Sequence, residues 1–93
     1  MQLSQQQIEL LNHCGQLLLP PNDVARLLQV DDDTITLMLK DRESAGFNAY
    51  HTGRLETELA LRASILKYAK AGSSPAQTMA KQMLDSLKSC FDA

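Results

Sequence analysis

Ninety-three residues, 44% of them apolar, with a formal charge of −2, describe one folded domain. Disorder as the default state is excluded, and so is the strongly basic composition of a typical nucleic-acid-binding domain. Aromatic residues make up only 4%, with no Trp, so the core must be aliphatic.

The first helix is predicted over 5–14. Ser4 caps it, Gln7 completes a capping box, and Leu3 and Ile8 occupy the staple positions on either side. Ile8, Leu11 and Cys14 supply its apolar face, and Gly15 supplies a left-handed stop. The apolar link Gln16-Leu17-Leu18-Leu19 ends at Pro20-Pro21. Proline suits a first turn, where its missing N–H has no partner to lose. Asn22 and Asp23 put polar groups near the free amides, and the second helix follows over 21–28.

A tight turn at Gln29–Asp31 leads to the third helix, predicted over 32–41 with Asp31 as its cap. The stretch Val24–Leu39 has the periodicity of a helix-turn-helix: small Ala25 where two helices cross, and Leu28, Val30, Ile35 and Leu39 as the apolar wedge. Gln29 stands where such motifs place a turn glycine. Ser44-Ala45-Gly46 breaks the pattern, and a long helix is expected over 47–71. Its stripe is Phe47, Tyr50, Leu55, Leu59, Ile65, Leu66 and Ala69. Gly53 inside it weakens the helix by ~1 kcal/mol relative to Ala. Such a residue implies a bend or the close approach of another backbone. Gly72 stops this helix. Ser74, Pro75 and Gln77 then read as cap, first-turn proline and capping-box glutamine for a fifth helix over 75–90. That helix carries Ala76, Met79, Ala80, Met83, Leu84, Leu87 and Cys90 at helical spacing.

The expected fold is therefore all-α. An N-terminal three-helix helix-turn-helix unit over 1–43 is followed by an antiparallel helical hairpin over 44–93, an oligomerisation arm, in one compact domain overall.

Charge is unevenly spread. Residues 1–43 carry seven acids and three bases, whereas 44–93 carry four acids and six bases. The exposed positions of a third helix entering a major groove hold Asp32, Asp33, Thr36 and Leu37. Base readout favours Arg, Lys, Asn and Gln at such positions. Aspartates suit a helix N-terminus but repel phosphate, whose neutralisation supplies much of DNA affinity. The motif thus has two readings, as a reading head or as a packing unit that does not touch bases. Arg54, Arg62, Lys67 and Lys70 are a second possible DNA surface on the long helix, but they spread over more than half of its circumference, which fits a solvated face with pairs such as Arg54–Glu58.

Cys14 and Cys90 have no ligand spacing, so a reducing cytoplasm is expected. His13 and His51 are read as structural or surface residues. No phosphate loop, zinc spacing or catalytic constellation is recognised, so neither an enzyme nor a cofactor site is expected. No charged-then-apolar leader is read, and no apolar run approaches the ~18 residues of a spanning helix, so neither a signal peptide nor membrane insertion is expected.

Two segments are similar to those of a known family. Val24, Ala25, Leu28, Gln29, Val30, Thr34, Ile35 and Leu39 follow the general helix-turn-helix consensus. Ala49, Tyr50, Gly53, Arg54 and Glu56, followed by Leu61, Arg62, Ile65, Leu66, Ala69 and Ala71-Gly72-Ser73-Ser74-Pro75-Ala76, resemble the segment after the DNA-binding motif in small subunits of phage terminases. The resemblance covers about residues 20–88. It implies a non-enzymatic DNA-packaging factor that binds double-stranded DNA, assembles with copies of itself and regulates a separate large subunit. Asp32, Asp33, Thr36 and Lys40 would then face DNA, with Arg54 as a further contact. Residues 55–87 would hold the oligomer, through Leu59, Leu66, Met79, Met83 and Leu87. The chain departs from the family in its acidic DNA-facing positions and in how little follows the hairpin. The alternatives are a helix-turn-helix transcriptional regulator, dimeric on a palindrome, and a protein-interaction module that does not bind DNA.

Overall fold

A computed structural model describes residues 2–92. The described residues form five α-helices and no strand: α1 (Gln5–Gln16), α2 (Pro21–Leu28), α3 (Asp32–Lys40), α4 (Ala45–Lys70) and α5 (Ser74–Asp92). None is long and apolar enough to cross a membrane.

The local signals explain most helix ends. Ser4 accepts from the Gln7 N–H and the Gln7 side chain accepts from the Ser4 N–H, a complete capping box. Asp31 caps α3, its Oδ1 accepting from the Thr34 N–H at 2.7 Å. Pro20 precedes α2 with extended backbone and no side-chain cap bond; Pro21 opens the helix, and Asp23 is the acid of its first turn. Gln29 ends α2 in the left-handed conformation, φ 59° and ψ 42°.

Three expectations are corrected. Gly15 is not a stop: α1 continues to Gln16, and the left-handed residue is Leu18, φ 59°. Gly46 does not break α4. It lies buried in the first turn, beneath the flexible Met38 side chain, while Ser44 Oγ accepts from the Gly46 N–H at 3.1 Å. At the start of α5 the capping oxygen is that of Ser73, accepting from the Ala76 N–H, not that of Ser74. Gln77 does not close a capping box; it donates across the turn to the Ala69 carbonyl at 3.1 Å. Gly72, φ 103°, does end α4.

The chain divides into two compact units at Glu58 and Leu59, inside α4. The first unit therefore extends past residue 43, because the start of α4 is welded to α1. Its core is Leu11, Cys14, Val24, Ala25, Leu28, Ile35, Leu39 and Tyr50. α1 and α4 run in the same sense, Asn12 donating to the Ala49 carbonyl and Thr57 to the Gln16 carbonyl. Gly15 and Gly53 lie at their contact. The second unit holds the rest of α4 and all of α5. Ala76 is the one buried residue among those described in it, with Ile65, Ala69, Ala80 and Met83 half-buried.

Candidate nucleic-acid and assembly surfaces

The outward face of α3 begins with a fixed carboxylate. Hydrogen bonds donated by Thr34, first from its side-chain hydroxyl and then from its backbone N–H, hold the Asp31 carboxyl below the usual carboxylate range. Asp32, Asp33 and Lys40 are exposed beyond it, and Thr36 is half-buried. Leu37 lies among them and is 71% exposed. At 100° per residue these five span an arc of ~140°, so the fold does bring Asp32, Asp33, Thr36 and Lys40 to one face. The opposite face of the helix, Ile35 and Leu39, enters the core. What α3 offers to solvent starts with two acids, with Lys40 near the middle of the arc and Leu37 at its edge.

Arg54 does not join that set. It lies on α4, half-buried, its guanidinium 2.8 Å from the Glu58 carboxylate. Its Nε donates to His51 Nδ1 at 3.2 Å. A His51 Nδ1 that accepts must leave the proton on Nε2, so Nε2 donates to the Leu39 carbonyl, 3.0 Å away. The His51 ring also packs against Phe47, tilted at 50° with centroids 4.3 Å apart, and meets Tyr50 edge-on at 5.1 Å. The expected Arg54–Glu58 pair is present, and His51 fastens the end of α3 to α4.

Two further groups show how dry this core is. Burial pushes the Cys14 thiol up. Burial also raises the Tyr50 phenol, against a smaller opposing pull from Arg54. The Tyr50 hydroxyl donates to the Leu19 carbonyl at 2.6 Å, tying down the link after α1. Cys14 and Cys90 are both free thiols, the first buried and the second exposed.

The second unit is of a different kind. Leu59 is 71% exposed, and Leu66, Met79 and Leu87 are also exposed. Met83 differs from the other proposed interface residues: it is half-buried, in line with Ala76 and Ala80 on the inner side of α5. The structure adds Leu61, Tyr68, Leu84 and Phe91, the last 80% exposed. Leu61 and Tyr68 are seven residues apart, two turns along one line of α4. That line is offset from the Leu59 and Leu66 line, which is why a single-stripe reading of the sequence passes over it. Monomeric domains rarely expose apolar side chains in such density.

No family model, curated protein or solved structure matches the chain.

Proposed function

We propose that this chain is a non-enzymatic DNA-recognition and assembly factor, of the kind represented by the small subunit of a phage terminase, and that it self-associates through residues 59–92. One observation carries the reading: a two-helix unit with, among its described residues, a single buried residue and eight large apolar side chains exposed. Two helices that bury so little have weak support of their own. Removing that surface from water contributes about 25 cal/mol per Å² of apolar area, and copies of the same unit are the partners always present. α2, the turn at Gln29 and α3 supply the helix-turn-helix through which such a factor meets double-stranded DNA. A large subunit would be a further partner.

The acidic face of α3 favours a second reading, a protein-interaction module that does not bind DNA. Light scattering with and without duplex DNA at low salt separates the two. A closed multi-subunit assembly that takes up duplex supports the packaging factor. A dimer that binds a palindrome points to a transcriptional regulator. An assembly or monomer without DNA affinity leaves the interaction module.

A further inference from the structure

Within the second unit, α5 folds back on α4. Only Ala71, Gly72 and Ser73 separate the two helices, and Gln77 in the first turn of α5 donates to the Ala69 carbonyl near the end of α4. Burial marks the seam between them: half-buried Ile65 and Ala69 on α4, buried Ala76 with half-buried Ala80 and Met83 on α5. At 100° per residue, Leu61 and Tyr68 lie roughly 60–80° behind the α4 seam, and Met79 lies about 70° behind the α5 seam. Leu59 and Leu66 lie roughly 80–100° ahead on α4, and Leu84 and Phe91 about 50–70° ahead on α5. Because the helices run in opposite senses, turns of the same sign lead to the same side. The exposed apolar side chains therefore form two flanks: a tyrosine flank of Leu61, Tyr68 and Met79, and a leucine flank of Leu59, Leu66, Leu84 and Phe91.

The flanks differ in charge. Residues 59–92 hold seven charged side chains. None falls on the tyrosine flank, whose polar members are Ser64, Gln82 and Ser86. The leucine flank has Arg62 between Leu59 and Leu66, already engaged within its own chain, and Lys70, Lys81 and Lys88 along its borders. Two leucine flanks face to face would bring lysines together, whereas two tyrosine flanks bring no charge together. Loss of charge around Tyr and Met is the composition of an interface core. Leu61 is 51%, Tyr68 58% and Met79 49% exposed, so this flank is not covered within its own chain. Its size also suffices. α5 rises ~22 Å from Pro75 to Cys90, and two helices side by side are ~20 Å across. The flank thus offers on the order of 450 Å² per copy, or about 900 Å² for two, close to the ~1,000 Å² at which specific interfaces begin.

We infer that two copies join tyrosine flank to tyrosine flank, a two-fold contact in which Leu61, Tyr68 and Met79 of one copy meet the same residues of the other. The inference rests on the self-association proposed above and narrows it to one side of the second unit. Leu59 and Leu66 stand outside this contact. Since no charge crosses it, the contact gains its strength from removing apolar surface from water and is little affected by salt.

Glutamates placed on one flank at a time test the contact, by light scattering over a dilution series with a reductant present. Leu61→Glu with Tyr68→Glu should weaken association at least tenfold, and Met79→Glu repeats the test from the other helix. Leu66→Glu with Leu84→Glu should keep at least the mass of two copies. All five positions are exposed within the chain, and circular dichroism checks that each variant remains helical. Association of the unmodified chain should change less than twofold between low and high salt. Tyrosine-flank variants that associate as well as the unmodified chain overturn the contact and leave self-association to the leucine flank. Loss to monomer in variants of both flanks also overturns it, since one flank then meets the other. An unmodified chain that is monomeric at every concentration overturns the contact and the assembly reading together.

Discussion

Gly15 and Gly53 occupy each other's surface. A side-chain carbon on Gly15 would run into the Tyr50 carbonyl oxygen, and one on Gly53 into the Asn12 carbonyl oxygen. Each glycine thus meets the carbonyl three residues before the other. The hydrogens that replace a side chain let α1 and α4 touch backbone to backbone, a geometry in which Cα–H groups face carbonyl oxygens. The contact fixes where α4 leaves the first unit, and so which part of it remains uncovered.

Gly15→Ala and Gly53→Ala should therefore destabilise the chain, although alanine improves helix propensity by ~1 kcal/mol at either position. Neither obstacle is a mobile side-chain end; both are helix backbone, and the helices must separate. A net loss of about 2–3 kcal/mol each is expected, read as a lower urea midpoint. The double variant should lose less than the sum, because one separation relieves both clashes. Unchanged midpoints would refute the close contact.

Much of this architecture is legible in the residues. Capping chemistry at Ser4 and Asp31, and proline at Pro21, place the starts of α1, α2 and α3 correctly. The glycines mislead. At Gly15 and Gly46 the sequence looks like punctuation, but both residues are helical and small for the sake of a neighbour. Only tertiary contact reveals that, and Gly53 is the case where a glycine deep inside a periodic stripe already implies a close backbone. The exposed leucines of α4 and α5 were legible as apolar but not as exposed, since periodicity gives the same signal for a core and for an interface.

Tyr50 should make stability fall at alkaline pH. Its phenol is held above the ordinary tyrosine range by burial, and Cys14 is raised for the same reason. The folded state thus binds these protons more tightly than the unfolded chain does. Their contribution is complete below the ordinary thiol and phenol ranges and is lost as pH rises through the folded values. Tyr50→Phe removes the phenol part of that slope and the bond to the Leu19 carbonyl, costing about 1 kcal/mol at neutral pH. Thermal melts of both proteins from neutral to strongly alkaline pH check this. Parallel curves would show that the phenol titrates alike in the folded and unfolded chain.

Asp31 imposes the opposite dependence at the acid end. Its carboxylate is favoured in the folded state by the bonds from Thr34, so its contribution is present above the ordinary carboxyl range. That contribution is lost as pH falls through the lowered folded value. Asp31→Ala should lower the melting temperature at neutral pH through loss of the α3 cap. The difference from the unmodified chain should close once the carboxyl is protonated. A gap that persists at the lowest pH would mean that Asp31 acts through packing rather than as a cap.

Gln29 is a place where the chain can be improved. With φ at 59° it pays the steric penalty that a side chain meets in the left-handed region. Gln29→Gly should raise stability by about 1 kcal/mol, after allowing for the greater freedom of glycine in the unfolded chain. A raised urea midpoint with unchanged slope is the expected readout. A lower midpoint would show that the Gln29 side chain contributes more than its backbone costs.

Asp32 and Asp33 decide whether α3 approaches phosphate. Both are exposed on the first turn of α3, where a recognition helix brings its N-terminal residues to the groove. Replacing both by Asn removes two repelling charges while keeping side chains of nearly the same size, so the helix should persist. If α3 lies against DNA, binding to random-sequence duplex at low salt should tighten several-fold in a fluorescence anisotropy titration. Asp32→Asn alone, which keeps Asp31 and Asp33, is a second probe. Tightening in Asp32→Asn at constant oligomer mass assigns the effect to DNA. If affinity does not change in either variant, α3 is outside the DNA interface, and its acidic face is left to contacts with protein.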